Sequence, residues 1–318
     1  MASLTMLDIA KMNGGEQVRG LIEENLTFAP EAAIFPMDTI KGTEYKTLVA
    51  TGLPTVAFRN ANEGVAYSKG SYRNDLFQTY ILGGAVNVDV AIAKAHEKGP
   101  EYIKARMASE VMKSALIELG KQIWYGVTTD AKGFPGLKAF TPAGGSMTKD
   151  ATGTTATTAS SCYLVKFGPN DITLLGGNGT AFAMGEWIEQ MVTDSGGTNQ
   201  YRAYCNSLES WVGMQTGNIY CCARIYNLTA DSGKGLTDAL IASALDLLPV
   251  GYTADAIFCS RRSRAQLRVA RTATTAYAMG GGRRLPNAED MTVPNPTESH
   301  GIPLYVTDSI LDTDVIGT

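Results

Sequence analysis

The sequence predicts an α+β fold with helices and antiparallel strands in separate stretches of the chain. Three observations carry this. A single long amphipathic helix opens at Pro100. Two long strand-like runs, residues 201–214 and 218–227, follow one another and form the best antiparallel pair in the chain. Beyond residue 233, single strands alternate with single helices, the pattern of a small α/β layer. The length of 318 residues corresponds to about two domains. Hydrophobic residues make up 44%, enough for a real core, while charged residues are only 18%. The usual charged share is about 25%, so much of the surface is expected to be covered by something else.

The elements follow in order. Across residues 3–28, Leu4, Leu7 and Met12, then Val18, Leu21 and Ile22, recur at helical spacing. Gly14-Gly15 divides this arm into two pieces and Pro30 ends it. Neither piece is long enough to be stable alone in water. The arm therefore folds back on its own domain or rests on a partner. Residues 43–51, 55–58 and 76–82 are rich in Thr, Tyr, Val and Phe and read as strands. The polar stretch 59–75 between them makes a long two-stranded projection. Such a ribbon is marginal in water, so it is expected to rest on something, such as another chain. Pro100 suits the first helical position, and Ile103, Met107, Val111, Ala115, Leu119 and Ile123 then form one apolar face up to Gly126. About 26 residues at 1.5 Å each make a rod of roughly 39 Å.

Gly133-Phe134-Pro135-Gly136-Leu137 is a turn signal, and residues 141–161 read as a loop. Strands are expected at 162–167 and 172–175, then a Gly-rich stretch to 199. After the long strand pair, Leu236, Leu240, Ile241, Ala244, Leu245 and Leu248 mark a helix ended by Pro249. A short buried strand spans 256–259. Ser260 caps a helix running through Arg271, residues 272–300 read as a loop, and strands at 302–306 and 314–316 close the chain.

Chemistry is sparse. The five cysteines are odd in number and form no C-x-x-C pair, which argues for free thiols in a reducing compartment. There is no signal peptide and no run of about 18 apolar residues, so no membrane partner is expected. His96 and His300 are the two histidines, and each reads as a surface or capping residue. Asp308, Asp312 and Asp314 lack the glycine and bidentate Glu of a calcium loop and read as a solvated acidic edge. Gly176-Gly177-Asn178-Gly179 lacks the Gly-Lys-Ser/Thr ending of a phosphate loop, and Gly280-Gly281-Gly282 precedes no helix pattern. No catalytic residue, metal ligand or cofactor site is predicted. A net charge of −4 argues against coating nucleic acid. The one anomaly is basic: Arg261, Arg262, Arg264, Arg268, Arg271, Arg283 and Arg284 occur with no Asp or Glu among them. Arg261, Arg264, Arg268 and Arg271 share about one helical face. A solvated face, a subunit interface and a nucleic-acid patch all fit that pattern.

The order of these parts resembles the major capsid proteins of tailed double-stranded DNA bacteriophages, with the Hong Kong 97-type fold. The resemblance rests on TMLDIAKMNGG, LPTVAFRNANEG (53–64), LGGAVNVDVAIAK (82–94) and the helix running into WYG and GFPGL (124–137). CYLVKFG (162–168), YCCARIYNL, LTDALIASALDLLP and GIPLYVTDSIL continue it. It implies an N-terminal arm at 1–36 and an extended loop at 37–85. The spine helix (98–125) and first part of the peripheral domain fall at 86–159. Strands joining the axial domain, plus a loop, fall at 160–199, the long peripheral strands at 200–232 and the axial domain at 233–318. In the family's prototype the axial helices precede the long strand pair. Here they follow it, which resembles the permuted connectivity of some short-tailed phage coats.

The resemblance further implies a structural protein, not an enzyme. It would form hexamers and pentamers of an icosahedral virion capsid, assembled in the host bacterial cytoplasm. Its arm and loop would lie across neighbours, and packaged double-stranded DNA would meet the inner face weakly and non-specifically. A separate scaffolding protein, a portal and a decoration or cement protein are the implied partners. Inter-subunit contacts are expected from Arg261, Arg264, Arg268, Arg271, Arg283, Arg284, Lys69, Tyr72 and Arg73. The prototype's covalent crosslink needs a Lys on the extended loop, an Asn on a neighbour and a Glu near both. Lys69 falls at the loop tip, but the other two have no match, so the crosslink is not carried over. An encapsulin-type compartment shares the fold, and a soluble Gly-rich enzyme is the alternative from another class.

Overall fold

A computed structural model describes residues 27–179, 184–194, 196–280 and 294–317. The strands run in chain order as β1 (Met37–Thr39), β2 (Glu44–Gly52), β3 (Ser71–Gln78), β4 (Tyr80–Asp89), β5 (Thr148–Asp150), β6 (Ser160–Val165), β7 (Ile172–Gly176), β8 (Ile188–Thr193), β9 (Gln200–Thr216), β10 (Cys222–Leu228), β11 (Ala256–Cys259), β12 (Glu298–Ser299) and β13 (Ile302–Val306). The helices are α1 (Glu31–Ile34), α2 (Val90–Lys94), α3 (Pro100–Tyr125), α4 (Leu137–Phe140), α5 (Asp238–Leu245) and α6 (Arg261–Gly280). Residues 1–26 of the predicted arm lie outside the described residues, as do Arg283 and Arg284.

Three sheets form among the described residues. One has the order β1-β7-β9-β4, with β8 also paired to β9. The second runs β12-β13-β11-β6-β10-β5, and the third is the β2-β3 ribbon. The helix α3 has the predicted bounds, with Pro100 at its first position and Gly126 after its last. Gly126 has φ +58, and a Cβ there would sit 2.0 Å from the Gly136 nitrogen. Only glycine permits both that backbone and that approach. The helix lies across the first sheet where Gly84 lacks a side chain; a Cβ there would meet Val111 at 3.1 Å.

Several expectations need correction. Residues 201–214 and 218–227 are not a strand pair. β9 pairs with β4, β7 and β8, whereas β10 joins the second sheet against β6 and β5. A short 3-10 turn at Ile219–Cys221 separates them, and both runs find longer-range partners that bury them better. No strand forms at 55–58, and 76–82 is divided between β3 and β4. Residues 314–316 provide only a single bridge, Ala159 to Asp314. The segment 272–300 is not all loop, because α6 continues to Gly280 and β12 pairs with β13.

The core has two main parts. At the junction of the two large sheets, Trp124 packs among Phe35, Tyr163 and Phe258, with ring centroids 5.9, 4.9 and 5.0 Å away. Beneath α5 and α6, Leu164, Ile225, Ile241, Ile257 and Leu267 fill the second. All five cysteines are free. Burial pushes the Cys221 and Cys259 thiols up to about 12, which leaves them unreactive at neutral pH.

Candidate assembly surfaces

The ribbon β2-β3 leaves the body as a separate two-stranded sheet. At its root the Tyr45 hydroxyl donates to Gln215, and Thr79 donates its amide to the Thr43 carbonyl at 2.8 Å. Beyond Gly52 and before Ser71 the chain has no strand, and a turn forms at residues 61–62. The two arms of this tip are tied by Thr55 N–H to Ser68 Oγ at 2.8 Å. Leu53, Val56, Phe58 and Tyr67 are almost wholly exposed there. Four large apolar side chains on one uncovered projection are unusual for a free monomer. Val56 and Phe58 fall in the expected strand at 55–58, and Tyr67 in the polar stretch 59–75. The available signal was the spacing of two in Val56 and Phe58, and again in Val65 and Tyr67.

The predicted loop residues are placed as follows. Lys69 is exposed and has no hydrogen bond or ion pair among the described residues; it sits two positions before β3, not in the turn at 61–62. Tyr72 is also exposed and turns its ring back over Gly70. Arg73 is held in plane by Asp75, Nε to Oδ1 at 2.6 Å and Nη2 to Oδ2 at 2.7 Å.

The arginine face is less uniform than its spacing. Arg261 pairs with Asp308 at 2.6 Å. Arg262 donates to the carbonyls of Asp312, Thr158 and Leu228 at 3.2, 2.7 and 3.0 Å. Arg271 grips both oxygens of Asp238 at 2.7 Å and the Glu298 carbonyl at 2.9 Å. These three brace their own subunit. Arg268 reaches Asn295 at 3.3 Å. Arg264 is half-buried; its amide donates to the Ser260 carbonyl at 3.1 Å, and its guanidinium has no hydrogen bond or ion pair among the described residues. The acidic edge is likewise not simply solvated, because Asp308, Asp312 and Asp314 pair with Arg261, Arg262 and Lys138 at 2.6, 3.4 and 3.1 Å. His96 is not a surface residue. It is buried, accepts the Lys98 amide at 3.1 Å and stacks on Tyr102 at 5.1 Å. His300 is exposed and meets the Asp238 carbonyl at 3.1 Å.

Asp238 gives a pH test. The Arg271 hydrogen bonds, with help from Ser299, hold its carboxyl below the usual carboxylate range. A lowered folded value means stability present above the unfolded value of about 3.9 and lost as pH falls through the folded one. The pair is partly exposed, so the effect is at most about 1 kcal/mol. Melting curves of the parent and Asp238→Asn are expected to differ at pH 6 and to converge toward pH 3. A gap that stays constant with pH would show that the carboxylate charge is not involved.

Comparison with known proteins agrees with this geometry. The family model described as major capsid protein GP7 matches residues 32–315. Among curated proteins nothing matches the sequence. A chain in the structure of bacteriophage Epsilon15 superposes with a TM-score of 0.72 at 18% identity, covering 100% of this chain and 98% of that one. The bacteriophage JBD30 capsid gives 0.48 at 11% identity, over 97% and 99%. The SrpI encapsulin of Synechococcus elongatus gives 0.45 at 8% identity, over 72% and 97%. The first shows a shared fold; the other two are too loose to add to it.

Proposed function

The chain belongs to the major capsid protein GP7 family, and from that premise we propose how its parts serve a shell. It has the Hong Kong 97-type fold and is structural, not catalytic. Its place is the icosahedral capsid of a phage virion. Residues 37–85, with the β2-β3 ribbon as their projecting part, are the extended loop, α3 the spine of the peripheral domain, and the β6-β10-β11 sheet with α5 and α6 the axial domain. Subunits gather as hexamers and pentamers in the bacterial cytoplasm with a separate scaffolding protein. A portal and a decoration or cement protein complete the particle. Packaged DNA meets the inner face weakly and non-specifically, as the net charge of −4 favours.

The observation that carries the assembly reading is the exposed apolar tip. Leu53, Val56, Phe58 and Tyr67 bury nothing within their own subunit, so their natural cover is a neighbour. We assign a second contact to Arg264 and Arg268. Arg261 and Arg271 are committed to Asp308 and Asp238, which leaves Arg264 and Arg268 as the part of the face available to a neighbour's carboxylates. The double reversal Arg264→Glu and Arg268→Glu is expected to block capsomer formation, read by sedimentation. If capsomers form and only DNA retention suffers, the stripe serves nucleic acid instead.

A further inference from the structure

In the second sheet, β6 and β11 run antiparallel, with Ala256 opposite Val165, Ile257 opposite Leu164 and Phe258 opposite Tyr163. One step further, the same register sets Cys259 opposite Cys162. Side chains along a strand alternate between the two faces of a sheet. Val165, Tyr163, Ala256 and Phe258 belong to the core at the junction of the sheets. Leu164, Ile257, Cys162 and Cys259 belong to the core beneath α5 and α6. The two thiols therefore share one face.

The hydrogen bonding fixes the kind of pair. Opposite residues in an antiparallel ladder alternate between hydrogen-bonded pairs, with Cα atoms about 5.5 Å apart, and non-hydrogen-bonded pairs at about 4.5 Å. Lys166, just past β6, donates its amide to the Cys221 carbonyl on the β10 side at 2.9 Å. Counting back by twos, the backbone groups of Cys162 also turn toward β10. The Cys259 carbonyl accepts the Thr307 amide at 3.1 Å and so turns toward β13. Neither residue points its backbone at the other, so the pair is of the closer kind. A Cα separation of about 4.5 Å lies at the short end of the range that a disulfide spans. No other cysteine is so placed. Cys222 stands opposite Val165 on the other face, Cys221 sits in the 3-10 turn and Cys205 in the first sheet.

Both thiols are free and fully buried. Burial, and then the neighbouring Cys259, push the Cys162 thiol well above its usual value. The thiolate is the nucleophile in disulfide chemistry, so neither thiol reacts while the sheet is closed. Exchange requires local opening of the face covered by α5 and α6.

We propose that Cys162 and Cys259 are a latent redox staple. It stays open while the subunit is in reducing surroundings, and it is closed by exchange with a low-molecular-weight disulfide when the sheet opens locally in oxidising ones. One cysteine thiolate attacks the small disulfide, forms a mixed disulfide and releases one small thiol. The second thiolate attacks the protein sulfur of that mixed disulfide, forms the bond between the two cysteines and releases the other small thiol. Two cysteine thiols are oxidised, one small disulfide is reduced, and the two cysteine protons leave on the small thiols. The cysteines stand 97 residues apart in sequence. The bond thus closes a long loop holding β7 to β10 and α5, which disfavours the unfolded chain. The short spacing leaves the bond easy to reduce again, as a reversible staple requires.

Disulfide mapping of the full chain tests this. The protein is incubated with oxidised glutathione, in buffer or in urea just below its unfolding midpoint, then denatured, alkylated and digested. In buffer, Cys162 and Cys259 are expected to stay reduced. In urea, the disulfide between them is expected to predominate over every other pair. Freed of oxidant, that chain is expected to unfold at a clearly higher urea concentration than the reduced one, and to return to the reduced value with dithiothreitol. Cys259→Ala is expected to abolish the shift and Cys205→Ala to leave it. The staple is refuted if another pair predominates, if only glutathione adducts form, or if the mapped bond fails to raise the midpoint. Closure as fast in buffer as in urea would refute the requirement for opening.

Discussion

A chain in which residues 53–70 are replaced by a two-residue Asn-Gly turn folds normally and forms no particles. The turn is chosen because Gly52 and Ser71 are already paired, and Asn-Gly closes two-residue hairpins with the twist of the flanking strands. Nothing in the subunit's core is touched, since the described tip residues are exposed apart from a half-buried Gly70. The subunit's melting temperature should therefore stay within a degree or two of the parent. Assembly is another matter. Covering a large apolar side chain contributes about 1.5–3 kcal/mol, so Leu53, Val56, Phe58 and Tyr67 represent an upper figure of roughly 6–12 kcal/mol per contact. Even a third of that is worth more than a tenfold change in association per contact, and every subunit in a shell makes the contact. Sedimentation and negative-stain microscopy read the result. Normal shells from the shortened chain would refute the role given to the loop.

How much of this was legible in the sequence depends on how local each signal is. The spine helix was readable to the residue because both ends carry their own stops, Pro100 and Gly126, and one face is continuously apolar. In the α5–β11–α6 run the order of elements was readable, but α6 runs on to Gly280, past the Arg271 at which the sequence ended it. The pairing of β9 was not. Residues 201–214 and 218–227 look like a hairpin because they are adjacent, yet adjacency is a weak guide when each strand has better partners elsewhere. β9 takes β4 from more than a hundred residues upstream, in register from Tyr80–Val212 to Asp89–Ala203. The arginine face showed the opposite limit. Spacing placed Arg261, Arg264, Arg268 and Arg271 together, but it said nothing of Asp238 and Asp308, which come from other elements and claim two of the four. The buried His96 was missed because its cover, Tyr102, lies across the turn in the first turn of α3 and reads as an ordinary aromatic.

Trp124 is where the largest loss of stability is expected from one substitution. It is fully buried at the end of the spine helix. Around it stand Phe35 from the segment after α1, Tyr163 from β6 and Phe258 from β11. The indole N–H donates to Glu31 Oε1 at 2.7 Å, and Thr307 after β13 donates to the same oxygen. One side chain thus joins α1, α3 and the sheet of β6 and β11. Truncation to alanine removes about 3–5 kcal/mol of packing. It also takes one of two donors from a buried carboxylate oxygen, at a further cost of about 1–3 kcal/mol. The sum is comparable to the whole stability of a typical domain, about 5–15 kcal/mol, so Trp124→Ala should not yield a folded subunit at 37 °C. Trp124→Phe keeps a ring among the aromatics and loses chiefly the hydrogen bond, so it should fold with a loss of about 1–3 kcal/mol. Urea unfolding of dissociated subunits gives the comparison. If phenylalanine is as damaging as alanine, the bond to Glu31 rather than the ring packing holds α3 to the sheet of β6 and β11.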